Sequence, residues 1–121
     1  HKDAYYQAIQ PTLESLKFKP ICLLDHNNHD HIDNAISAGI RKSRFIVADL
    51  TLMNRGAYWE AGLAYGQQKV VILCCQQLEG EKPEELVHFD LNHFKILFYK
   101  DWDDLKKQLK DRIEGDGRIA L

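Results

Sequence analysis

No stretch of this chain is long and apolar enough to span a membrane; its longest apolar run, at residues 70–75, falls far short of the ~20 residues a helix needs to cross the hydrocarbon core. A strong charge of either sign is also missing. Sixteen basic and eighteen acidic side chains leave a formal charge of −2, which excludes a general nucleic-acid binder but leaves room for a local basic patch. Cysteine is scarce and odd in number: Cys22, Cys74 and Cys75, all in predicted strands. Neighbours in a strand point to opposite faces, so Cys74 and Cys75 are not expected to pair with each other. No disulfide framework is expected; small buried thiols in a reducing, cytoplasmic setting are. There is no Gly-rich dinucleotide fingerprint, no P-loop and no G-x-S-x-G elbow. Internal repeats and low-complexity tracts are absent too.

What remains is an ordinary globular composition over 121 residues, enough for one domain, 1–121, with a core of its own. The chain is organised around Ser43 to Cys75. Phe45 to Ala48 is a short, β-branched apolar run that suits a strand buried on both faces, and Asp49 ends it. Thr51 to Gly56 reads as a polar turn, Ala57 to Gln67 as a helix and Val70 to Cys75 as a second buried strand. Two parallel strands joined by a helix form a right-handed βαβ unit.

Before this unit, Tyr6, Ile9, Leu13 and Leu16 recur at helical spacing, interrupted by Pro11, and Ile21 to Leu24 reads as a strand. The polar run DHNNHDHID precedes a helix carrying Ile32, Ile36 and Ile40, with Asp30 and Asp33 in capping-box-like positions. After it come a charged loop, Gln76 to Glu85, a strand at Lys95 to Tyr99, and a helix capped by Asp101 that carries Trp102, Leu105, Leu109 and Ile113. The pattern predicts an α/β fold with a mainly parallel sheet, and Ile46, Val47, Val71 and Ile72 at its centre. A doubly wound sheet normally opens with a strand, and none precedes the first helix. The chain opens on His1 rather than Met, so that strand is expected to lie outside the 121 residues, leaving a gap beside Phe45 to Ala48.

Open α/β sheets bind ligands outside the carboxyl ends of their strands. Asp49, Asn54 and Glu60 fall at that end. Glu60, in the first or second turn of its helix, is expected to be ionised by the helix N-terminus. An ionised carboxylate facing a crevice can attack an anomeric carbon. An acid near a helix start also answers to the helix dipole alone. Ala57, Ala61, Ala64 and Gly62 give that helix small side chains for close approach to the sheet. Tyr58 and Trp59 can stack on a base or cover a sugar, or simply pack. Asp49 and Asn54 can bond sugar hydroxyls or their own turn. Gly56 permits a tight turn or a close ligand, and Asp33 is expected to face the same crevice. His26, His29 and His31 match no common zinc spacing, so no metal is expected.

IRKSRFIVADLT followed by NRGAYWEAGLAYGQQKVVIL resembles the nucleoside 2-deoxyribosyltransferase-like family, related to bacterial TIR-type NAD-cleaving domains. HNNHDHIDNAI and HFDLNHFKILFY extend the likeness over Asp25 to Tyr99. The most specific part is N-x5-E followed by A-G-x-A-x-G at residues 54 to 66. The resemblance implies a flavodoxin-like three-layer α/β/α sandwich with Glu60 as the nucleophile. It implies that Asp33 and Asp49 line the pocket and that Asn54 stands at the base-contacting position. With the residue reading above, Asp49 is expected beside Glu60 in catalysis, and Asp33, Asn54, Gly56, Tyr58 and Trp59 in substrate binding. The expected activity is cleavage or transfer at an N-glycosidic bond of a nucleoside, a nucleotide or NAD, with NAD a substrate and no cofactor. A homo-oligomer is expected, with no membrane partner. Asn54 stands where true deoxyribosyltransferases carry Asp, which counts against base exchange but not against sugar–base cleavage. The alternative is a non-catalytic TIR-like module for nucleotide sensing or protein interaction.

Overall fold

Residues 45–48, 70–75 and 96–99 are uninterrupted apolar runs, and all three become strands of one sheet. The computed structural model describes residues 2–22, 32–87 and 94–119. Its strands are β1 (Phe45–Asp49), β2 (Val70–Gln76) and β3 (Ile96–Tyr99), in the order β1-β2-β3 and all parallel. Phe45 pairs with Val70 and Asp49 with Cys74; Leu73 pairs with Ile96 and Gln76 with Tyr99. The three strands therefore end close together at their carboxyl termini.

Alternation along each strand divides the core in two. Ile46, Ala48, Val71, Leu73 and Cys75 face α3 (Ile32–Lys42) and α4 (Arg55–Gly66), where Ile36, Ile40, Ala57, Ala61 and Ala64 are buried. On the other face Ile72, Cys74, Leu97 and Tyr99 meet Ala4, Ala8, Ile9 and Leu13 of the N-terminal helical segment and Leu105, Leu109 and Ile113 of α6 (Trp102–Glu114). Helices thus cover both faces of a parallel sheet, a flavodoxin-like three-layer α/β/α sandwich. Cys74 and Cys75 point to opposite faces, and neither forms a disulfide. No described helix is long and apolar enough to cross a membrane.

The N-terminal segment departs from the simple periodic reading. It runs as α1 (Lys2–Ala4), a π-helical stretch at Tyr5–Ile9, and α2 (Gln10–Ser15). Gln10 donates its N–H to Tyr5 O, five residues back, just before Pro11, which has no N–H to give. The wider turn rotates the apolar face, so Ala4, Ala8, Ile9 and Leu13 are buried while Tyr6 is half exposed.

Four other expectations shift. Ile21 and Cys22 are irregular, with Ile21 exposed; Leu23 and Leu24, the rest of that expected strand, lie outside the described residues. The loop after β2 contains a short helix, α5 (Pro83–Leu86), with Pro83 in its first turn. α4 begins at Arg55, two residues early, because Asn54 caps it. Gly62 lies off the buried small-residue face of α4, with open space where a Cβ would be. The outer edge of β1 pairs with no strand among the described residues, and a cavity of about 580 Å³ runs along it.

Candidate functional site

The cavity is walled by β1 from Phe45 to Asp49, by Asn54, Ala57 and Glu60 from the start of α4, and by Ile9, Leu13 and Phe18 from the N-terminal segment. Its volume falls in the range of small-molecule sites, 300–1,000 Å³ or so. Its carboxyl-terminal end is acidic, with Asp49 and Glu60. Lys42 and Arg44, which precede β1, and Lys17 and Lys19 line it as well.

Asn54 sits between β1 and α4 with extended backbone, and its Oδ1 accepts from Gly56 N at 3.0 Å and Ala57 N at 3.4 Å. This is an N-cap: the side chain satisfies amides that the first helical turn leaves unpaired. Gly56 accordingly lies in the helix rather than in a tight turn. The linker before it is a 3-10 turn, Thr51–Met53. Leu52 and Met53 both adopt left-handed backbone (φ 60° and 50°) and expose their side chains.

Glu60 is the sixth residue of α4, in its second turn. It is only 8% exposed, and its Oε1 is buried with no hydrogen-bond donor against it among the described residues. Burial pushes its carboxyl up from the usual 4.5 to about 7. The helix N-terminus alone favours an ionised Glu60 at neutral pH, and burial works against it, so that a share of the carboxyl holds its proton there. The helix N-terminus is taken up by the Asn54 side chain, six residues before Glu60, and loss of water outweighs what remains of the dipole.

Asp49 closes β1 and is held from several sides. Thr51 donates its hydroxyl to Asp49 Oδ1 at 2.6 Å and its backbone N–H to the same oxygen at 3.3 Å, an Asx-type turn. The Tyr99 hydroxyl lies 3.3 Å from both carboxylate oxygens. Burial raises the Asp49 carboxyl above its ordinary value, opposed by the Thr51 and Tyr99 hydrogen bonds. Tyr99 is fully buried, and burial pushes its phenol well up. In the sequence Tyr99 reads only as the end of a strand. Fifty residues separate it from Asp49, and only the strand order brings the two together.

Asp49, Asn54 and Glu60 thus share one cavity wall; Gly56, Tyr58 and Trp59 are not part of it. Tyr58 packs partly buried against the α3–α4 core, and Trp59 is 42% exposed. The Asp33 side chain lies outside the described residues, as do His26, His29 and His31. Among the described residues no group of three His, Cys, Asp or Glu side chains could hold a metal. Scans of protein-family models, curated proteins and solved structures find no match to this chain.

Proposed function

We propose that this crevice cleaves or transfers at the N-glycosidic bond of a nucleoside or nucleotide, with Glu60 as the nucleophile or the stabiliser of the anomeric centre. The observation that carries the reading is the buried Oε1 of Glu60, without a donor among the described residues, in the wall of a ligand-sized cavity at the strand ends. Buried carboxylates without donors are costly, and such groups concentrate where chemistry needs them. An oxocarbenium-like anomeric carbon would supply the missing positive partner and favour the ionised form of Glu60, whose proton passes to solvent. Glu60 then acts in one of two ways. Either its oxygen forms a bond to C1′ as the base leaves with the bonding pair, and water or a second base later takes the sugar, or it stabilises the cation electrostatically while water attacks.

Asp49 faces the same space as a hydrogen-bond acceptor suited to sugar hydroxyls. The cationic side chains along the cavity fit a ligand that carries phosphate. The likeness of residues 54 to 66 to the nucleoside 2-deoxyribosyltransferase-like and TIR-type NAD-cleaving families supports the same reading. NAD is one candidate substrate, and a homo-oligomer remains the expected assembly.

Incubation with NAD and with deoxynucleosides, followed by chromatography, tests this: released base is the expected product. Tight nucleotide binding with no base released would favour the non-catalytic sensing module instead.

A further inference from the structure

Three strand ends converge on one carboxylate. Asp49 ends β1, Gln76 ends β2 and Tyr99 ends β3. The Thr51 hydroxyl stands between them. It accepts from Gln76 N at 2.9 Å, contacts Asp49 Oδ1 at 2.6 Å and lies 3.3 Å from the Tyr99 hydroxyl. We propose that Thr51 and Tyr99 are positioning residues for Asp49, their two hydroxyls fixing its carboxylate in the cavity wall. The proposal rests on the glycosidic reading for what Asp49 does to a ligand, but not for how Asp49 is held.

The assignment follows from counting protons. A hydroxyl has one to give and can accept as well. The Thr51 oxygen already accepts from a backbone amide, so its proton goes to the short contact, Asp49 Oδ1. An ionised carboxylate can only accept, so the Tyr99 phenol donates toward it, astride both oxygens. One donor comes from the turn after β1 and the other from two strands away. Rotation of the Asp49 carboxylate would break at least one of them. Charge-assisted bonds of this kind are the stronger ones, and they favour the ionised acid.

The neighbouring thiols are neutral, because burial raises both of them. The Cys74 thiol on β2 donates weakly to Asp49 Oδ1 at 3.9 Å. The Cys75 thiol is pushed up to about 11 by burial first and by the Asp49 charge second. Glu60 on α4 lines the same cavity. The two hydroxyls, together with Thr51 N, orient Asp49 as an acceptor in the cavity wall.

The test follows the Asp49 side-chain carboxyl carbon by NMR across pH in the full chain, for the wild type and for Thr51→Val, Thr51→Ser and Tyr99→Phe. Thr51→Val should raise the Asp49 midpoint by about one pH unit. Tyr99→Phe should raise it less, since its contacts are longer. Thr51→Ser, which keeps the hydroxyl, should leave it within a few tenths. The proposal is overturned if folded Thr51→Val and Tyr99→Phe leave the midpoint unchanged, or if Thr51→Ser moves it as far as Thr51→Val. Should Thr51→Val fail to fold, Tyr99→Phe decides alone, because it keeps the ring against Trp102. With NAD and deoxyadenosine as probes, Tyr99→Phe should raise KM more than it lowers kcat; an unchanged KM with a reduced kcat contradicts the positioning role. If the wild type releases no base from either probe, the glycosidic reading fails and the titration still decides how Asp49 is held.

Discussion

Glu60 is poised by burial rather than by a charge partner, and that makes its behaviour with pH specific. Its folded value of about 7 lies above the 4.5 of the unfolded chain. Between those values the folded state holds the proton more than the unfolded state does, so stability falls as pH rises from about 4.5 to 7 and levels off above. Glu60→Gln mimics the protonated form at every pH. Chemical denaturation should show the variant more stable than wild type by on the order of 2 kcal/mol at pH 8. That difference should shrink steadily as pH is brought down toward 4.5. A difference that stays constant with pH would mean that Glu60 keeps an ordinary value in the fold. Activity runs the other way. A nucleophile must be ionised, so kcat/KM should rise with pH through an apparent value of about 7, measured with whichever probe is cleaved. A profile falling above 7 would instead make Glu60 a general acid.

At the scale of elements, the turn from β1 to α4 carries both a cap and a strain. Asn54→Ala removes the side-chain acceptor for Gly56 N and Ala57 N and should cost about 1 kcal/mol in urea denaturation, while Asn54→Ser should recover most of it. Equal stability of the alanine and serine variants would show that the cap contributes nothing. Leu52 is 88% exposed with left-handed backbone, so Leu52→Gly loses little packing and relieves a conformation that disfavours leucine. It should stabilise by roughly 0.5–1 kcal/mol, and a loss of stability would mean that the exposed side chain has a contact of its own. The βαβ unit here was legible because β-branched strands, a polar turn and a small-residue helix are each set by local composition. The start of α4 was less so, since Asn54 reads equally as a turn residue or as a cap. The N-terminal helix misled through its π stretch, because a fixed 3.6-residue period puts Tyr6 on the buried face. The Asp49–Thr51–Tyr99 cluster was invisible in the sequence, since it depends on β3 lying beside β2.

Over the whole molecule, one parallel sheet divides two cores, and β2 is its protected middle. Amides of Ile72 to Cys75 should exchange with solvent slowest. Those of β1 that point to its outer edge should exchange markedly faster, because no described strand covers them. Uniform protection across β1 and β2 would show that this edge is covered in solution. The same open edge leads to the cavity that holds Asp49 and Glu60, so the architecture and the proposed chemistry meet at one place. The most direct test of that chemistry is the initial rate of base release at pH 8, by chromatography, from NAD and from deoxynucleosides, for wild type and Glu60→Gln. Gln keeps the shape and removes the charge. The account predicts base release by wild type and a fall of on the order of a hundredfold or more in the variant, with KM changing far less. Base release at equal rates by the two proteins would contradict it.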